Sequence, residues 1–259
     1  MCNVYIVSWS VGVALLAPFS LQLVLKMRLS VCICTLNEEE FIAPMIESMI
    51  DSVYELIILD GCSEDKTAEI IEGYQAHYGD KIKLFFWEQN HSRDYVFDEQ
   101  ARRDWTFDKA NGHWILFTAP DEIFCDHFWR DLIDILYNGA ADFYTFPRIN
   151  CWKHPDHWRV DSYPDPQLRL FRKGYGEFSE GDEHGFIVAK NGQHGGEALR
   201  HEYLKDYPIY HFHWCSKVRP FDPFWCPDEA VVKKLEVPLP EVILKSKWYT
   251  EGGFPEKWK

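Results

Sequence analysis

The sequence predicts an α/β protein with a Rossmann-like, mostly parallel central sheet flanked by helices, followed by an irregular C-terminal half. Three observations predict it. From residue 29 to 147, compact apolar runs alternate with stretches whose apolar residues recur at helical spacing, the pattern of a sheet with crossover helices. The 259 residues are 46% hydrophobic and 26% charged, which builds a full core and argues against a disordered chain. No Gly/Ser/Pro linker interrupts the chain, so residues 27–259 read as one domain with a first half over 27–147 and a second over 148–259.

The elements follow in order. Leu29 to Thr35 is a short apolar strand, in which Cys32 and Cys34 alternate with apolar residues and share one face as small buried hydrophobes. Glu39 to Met49 carries Phe41, Met45, Ile46 and Met49 at helical spacing, and Leu56 to Asp60 is the next strand. Ser63 can cap a helix marked by Ile70, Tyr74 and Tyr78, and Ile82 to Trp87 gives a third strand. Phe97, Ala101 and Trp105 mark a helix stopped near Gly112. The strand His113 to Thr118 and a helix bearing Phe124, Phe128, Leu132 and Leu136 complete the first half. After Pro147, His, Trp, Pro, Asp and Gly become dense, and only short strands stand out, Gln167 to Phe171 and Phe186 to Ala189.

Charge and cysteine usage exclude several classes. The net charge of −14 repels phosphate backbones, so nucleic acid is not an expected partner. The eight cysteines are scattered without a CxxC pair or a disulfide framework, which points to a reducing, cytoplasmic compartment. Residues 3–25 carry no charge and are long enough to cross a membrane, but Ser8, Ser10, Gly12, Pro18, Ser20 and Gln22 interrupt them. Two readings of this segment stay open. Either residues 1–26 form a membrane anchor, with Lys26 and Arg28 keeping the remainder on the cytoplasmic face, or they are an upstream extension and Met27 is the start.

In open parallel sheets, ligands bind outside the carboxyl ends of the strands, so the residues that follow each strand carry the functional argument. They are Thr35-Leu36-Asn37-Glu38, the run Asp60 to Thr67, and Thr118-Ala119-Pro120-Asp121-Glu122. Each has a plain structural explanation. Asn37 and the acids after it can start a helix, and Asp60-Gly61 can be a turn closed by Ser63. Their joint appearance at one sheet edge instead suits a site in which carboxylates receive a base edge and a divalent cation.

Thr35-x-Asn37-Glu38, Asp60-Gly-x-Ser-x-Asp-x-Thr67, the helix from Ala101 to Gly112 and the strand Trp114 to Phe117 leading into Asp121-Glu122 together resemble the inverting family 2 glycosyltransferases of GT-A fold. Gln167-Leu168-Arg169-Leu170-Phe171 resembles an element of the branch that extends lipopolysaccharide cores and related glycans. The resemblance implies a nucleotide-sugar donor, UDP-sugar in the common case, a saccharide or glycan acceptor on the side of the second half, and Mg²⁺ or Mn²⁺. It implies that Thr35, Asn37, Glu38 and Asp60 line the nucleotide pocket, together with Arg103 and Asp104 where the family often has Arg-Asn before its helix. The family's Asp-x-Asp metal motif reads Ala119-Pro120-Asp121 here, so its first aspartate is missing and Asp121 is left as the metal ligand. A non-catalytic saccharide-binding protein on a degenerate GT-A fold is the alternative that this departure leaves open.

Inverting transfer requires a carboxylate that deprotonates the acceptor hydroxyl. The matching region reads Gly181-Asp182-Glu183-His184-Gly185, and Glu183, then Asp182, are the candidate bases. Two further groups have ligand-like spacing, Cys151-x-x-His154-x-x-His157 and His211-x-His213-x-Cys215. The first is read as aromatic-rich loops with hydrogen-bonded imidazoles. In the second, the resemblance implies that His213 or His211 joins Asp121, because some GT-A enzymes complete their metal site with a late histidine.

Overall fold

The computed structural model describes residues 28–88, 95–178, 187–190, 200–218 and 232–252, of which 95–99 are described as backbone only. The first half contributes β1 (Leu29–Thr35), α1 (Ile42–Met49), β2 (Glu55–Asp60), α2 (Thr67–Tyr78), β3 (Ile82–Phe86), α3 (Tyr95–Lys109), β4 (Trp114–Thr118), β5 (Glu122–Phe124) and α4 (Asp126–Asn138). Next come β6 (Phe143–Trp152), β7 (His154–Arg159), β8 (Pro166–Arg172), β9 (Gly176–Phe178), β10 (Ile187–Ala189), β11 (His201–Tyr203), β12 (Ile209–Trp214) and β13 (Val232–Lys234). Two short helices, α5 (Glu241–Lys245) and α6 (Lys247–Thr250), follow.

The sheet runs β13-β7-β6-β8-β4-β1-β2-β3, and β3, β2, β1 and β4 are mutually parallel, as the alternating pattern predicts. β8 lies antiparallel between β4 and β6 and joins the second half to the same sheet. Alternation along the central strands produces two buried layers. Leu29, Val31 and Ile33 of β1, with Leu56 and Ile58 of β2, face a large core under α1 and α4. Cys32 and Ile57 face a smaller core with Phe107, Phe117, Phe171 and Phe178. Cys32 is fully buried there, whereas Cys34 at the strand end is partly exposed. Gly112 is required between α3 and β4, because a Cβ would come within 2.5 Å of the Arg28 carbonyl oxygen.

Three local expectations are corrected. Phe124 ends β5, and the following helix starts only at Asp126, because the Cys125 backbone amide bonds to the Pro208 carbonyl and Ile209–Tyr210 pair with Phe124–Ile123. Ser63 does not cap α2, since its hydroxyl is held by Asp60, and the Asp65 carboxylate instead accepts the Thr67 amide at 2.9 Å. Arg103 and Asp104 lie within α3 and not before a helix, because α3 already begins at Tyr95. The second half also holds more strand than its composition suggests, with β6 largely buried and β12 buried at Ile209, Tyr210 and Phe212.

Candidate active site

The register places Thr35 opposite Asp60 and Ile33 opposite Thr118, so the carboxyl ends of β1, β2 and β4 open on one edge. Here the loops after β1 and β2 latch together. Asp60 is fully buried and accepts both the Ser63 amide and the Ser63 hydroxyl at 2.7 Å. The Asn37 amide donates to the Ser63 oxygen at 2.9 Å, and the Glu64 amide donates back to Asn37 Oδ1 at 2.8 Å. One turn further on, the Glu38 amide donates to Thr67 Oγ1 at 2.7 Å and the Glu39 amide to Asp65 Oδ2 at 3.1 Å. Asn37 and Cys62 both adopt left-handed backbone, with φ of 55° and 65°, which turns each loop toward the other. Much of the Asp60 to Thr67 motif is therefore explained by this latch. The Thr35 hydroxyl is buried at the same edge and has no hydrogen-bond partner among the described residues.

Arg103 and Asp104 face the smaller core. The Arg103 guanidinium lies 4.3 Å from the centroid of the Phe178 ring, and Asp104 Oδ1 accepts the Phe178 amide at 2.9 Å. Burial raises the Asp104 carboxyl above its ordinary pKa. These contacts hold β9 against the end of β4, where the Phe117 and Phe178 rings meet edge to face at 5.2 Å.

Asp121 follows β4 and is nearly buried. β12 is brought alongside by its pairing with β5, in which His211 faces Glu122, and by the Phe212 amide donating to the Asp121 carbonyl at 2.9 Å. His211 and His213 share one face of β12 and reach the same carboxylate. His213 Nδ1 is 3.2 Å from Asp121 Oδ2, and His211 Nε2 is 3.8 Å from Oδ1. The three ligand atoms lie within 4.8 Å of one another. Burial holds the His211 imidazole down at a pKa of about 4 despite the opposing pull of Asp121. Glu40, in the loop after β1, accepts the Ser216 hydroxyl and the Lys217 amide, which fixes the turn that follows His213. Cys215 is fully buried and is not part of the Asp121 group.

Beneath this group lies a charged cluster that the sequence did not single out. Glu122 is fully buried, and Arg169 grips it with two bonds of 3.0 and 2.7 Å while Arg148 adds a third at 3.0 Å. Burial alone would raise the Glu122 carboxyl, but the two guanidiniums outweigh it and hold the pKa at about 2. Arg148 also donates to Asp165 at 2.8 Å. Asn150 links Asp165 to His211, with contacts of 2.8 Å on each side. The arginine of the Gln167 to Phe171 motif thus supports the strand that carries the site. A carboxylate in the residue beside Asp121 and an arginine in that motif were the available signals.

His154 and His157 both direct Nδ1 at Asp156 Oδ1, the latter at 2.6 Å, and Cys151 is buried outside the group. Hydrogen bonding to that carboxylate accounts for both imidazoles. Glu183 and Asp182 lie outside the described residues. The flanking strands are described, and Phe178, which meets Phe117 of β4, pairs with Ile187. The charge-free residues 3–25 are likewise outside the described residues, and no described helix is long and apolar enough to cross a membrane.

Residues 30–207 match the family model described as Glycosyl transferase family 2. None of the curated proteins matches. Among solved structures, the chain is similar to S. aureus TarS, with 17% identity and a TM-score of 0.49 over 71% of this chain and 36% of that one. TarS 1-349 in complex with UDP is 22% identical, with a TM-score of 0.40 over 48% of this chain and 36% of that chain. TarS 1-349 alone is 18% identical, with a TM-score of 0.43 over 57% and 48%. The chain thus spans between a third and half of those solved chains.

Proposed function

Because the chain belongs to glycosyl transferase family 2, we propose that it transfers a sugar with inversion from a nucleotide-sugar, preferably a UDP-sugar, to a saccharide acceptor. The observation that carries this reading is the convergence of Asp121, His211 and His213 at the edge where β1, β2 and β4 end. One carboxylate oxygen and two imidazole nitrogens suit a divalent transition metal, and between the two expected ions they favour Mn²⁺ over the strictly oxygen-seeking Mg²⁺. Two histidines replace what the missing first aspartate would have supplied. A cation held there supplies positive charge against the departing diphosphate.

The rest falls to the chain's own residues. The latched loops hold Asn37, Glu38 and Asp60 in place, and Thr35 lies buried directly beside them. Trp214 stands beside both imidazoles, with ring centroids 5.1 and 5.5 Å away, and offers a flat face on which a sugar ring can stack. Arg103 and Asp104 keep β9 in place, and Glu183, with Asp182 as second candidate, takes the proton. The acceptor oxygen bonds to the anomeric carbon as the bond to the diphosphate breaks, and the hydroxyl proton passes to that carboxylate. Arg169 of the Gln167 to Phe171 motif is engaged with Glu122, and the acceptor that best suits the resemblance of this motif is a glycan of the lipopolysaccharide-core type.

The test is a panel of UDP-, GDP-, TDP- and CMP-sugars incubated with the protein and Mn²⁺, with nucleotide release followed by ³¹P NMR. One donor should be turned over, and EDTA should stop it. If no donor binds or is cleaved, with or without metal, the reading fails.

A further inference from the structure

We propose that Asn150 is a positioning residue that sets the tautomer of His211 and so prepares the Asp121–His211–His213 group for a cation; the inference rests on the metal role proposed for that group. The orientation of an amide is read from its partners and not from its shape. Asn150 is buried, and its Nδ2 lies 2.8 Å from Asp165 Oδ2 and 3.2 Å from Ser162 Oγ. A carboxylate can only accept, so the amide nitrogen must face Asp165. The Ser162 hydroxyl directs its hydrogen to the Arg159 carbonyl at 3.3 Å, so it too presents a lone pair to Asn150. Both amide hydrogens are thereby assigned.

The opposite end of the amide is then an acceptor, and it lies 2.8 Å from His211 Nδ1. That nitrogen must carry the hydrogen. In the neutral ring the Nε2 lone pair is left bare, and Nε2 is the atom that faces Asp121 Oδ1 at 3.8 Å. Two lone-pair atoms directed at one space is the arrangement that a cation completes, and a metal-bound imidazole whose other nitrogen donates to a carbonyl is a common second layer of such sites. Asp165 is itself immobilised. It has left-handed backbone with φ of 39°, takes Arg148 Nε on Oδ2 at 2.8 Å, and takes Gln167 Nε2 on Oδ1 at 2.9 Å. The order of action therefore runs from Asp165 through Asn150 to His211.

The test combines ¹⁵N-histidine long-range NMR of the metal-free protein with Mn²⁺ titration by EPR in the absence of nucleotide. Wild-type His211 should show its hydrogen on Nδ1. Asn150→Leu, which keeps the volume but removes the acceptor, should lose that signature and bind Mn²⁺ about 10- to 100-fold more weakly. Asp165→Asn leaves Asn150 in place but frees its amide to turn, and it should give a mixed tautomer and intermediate affinity even if Asn150→Leu fails to fold. A hydrogen on Nε2 in the wild type overturns the inference. If Mn²⁺ binds the wild type and is lost in Asp121→Ala, yet both Asn150→Leu and Asp165→Asn bind it normally, the positioning role falls while the metal reading stands. If the wild type binds no Mn²⁺, the metal reading falls and the inference with it.

Discussion

A buried carboxylate beside the site shows how much this fold invests in a single residue. Glu122 has no access to solvent and depends on Arg169 and Arg148 for its charge. Its folded pKa of about 2 lies below the ordinary 4.5, so the ionised group stabilises the fold at full strength above pH 4.5. That contribution shrinks as the pH falls from 4.5 towards 2, and it amounts to about 3 kcal/mol. Glu122→Gln should cost about 3 to 5 kcal/mol at neutral pH, because the mostly buried Arg169 loses its counter-charge and Arg148 is left with Asp165 alone. The variant should also lose part of the pH dependence of urea unfolding between pH 5 and pH 3, and an acid limb identical to that of the wild type would refute the assignment. The proposed base is tested differently. Glu183→Gln should leave donor binding unchanged and lower kcat by about 10² to 10⁴. If Asp182→Asn shows that loss instead, the neighbouring acid is the base; near-normal turnover in both variants removes the segment from the chemistry.

Between elements, the latch decides whether the edge of the sheet is a rigid cradle or two separate loops. Thr67 begins α2, yet its hydroxyl accepts the Glu38 amide from the other loop while donating to Asp65 Oδ1 at 2.5 Å. Asp65 in turn accepts the Glu39 amide on its second oxygen. The helix start and the turn after β1 therefore share one set of hydrogen bonds. Thr67→Val keeps the β-branched shape and removes both bonds, at a cost of about 1 to 3 kcal/mol for the amide left unsatisfied. Amide hydrogen exchange should accelerate at Glu38 and its neighbours while β1 and β2 stay protected. Donor affinity should fall with it, because Asn37 and Asp60 belong to the same latch. Unchanged exchange at Glu38 would show that the loops hold without the threonine.

Across the whole molecule, legibility follows periodicity. β1, β2 and β4 were readable because they are short apolar runs buried on both faces, and β3, the partly buried edge strand, because it is a compact run that follows a helix of clear spacing. β6 and β12 were not, because Thr145, Pro147, Arg148 and Asn150 interrupt the apolar run of the first and two histidines alternate with aromatic residues in the second, which blurs the distinction between core and site. The pairing of Asp121 with His211 and His213 was legible as residue types, but its geometry depends on the register of β12 against β5, which no local pattern encodes. Asn150 and Asp165 were invisible for the same reason, since their roles arise from partners 61 and 15 residues away. The sheet also sets the last expectation. β1 lies between β2 and β4, and Arg28 just before it already accepts the His113 and Trp114 amides at 2.8 and 3.1 Å. Each central strand thus finds its partners from residue 28 onward, so we expect a chain beginning at Met27 to fold and to bind nucleotide and Mn²⁺ as the full chain does. Thermal unfolding and Mn²⁺ titration of the two side by side check this. Aggregation of the shorter chain, or a lower melting temperature with weaker Mn²⁺ binding, would show that residues 1–26 complete the core.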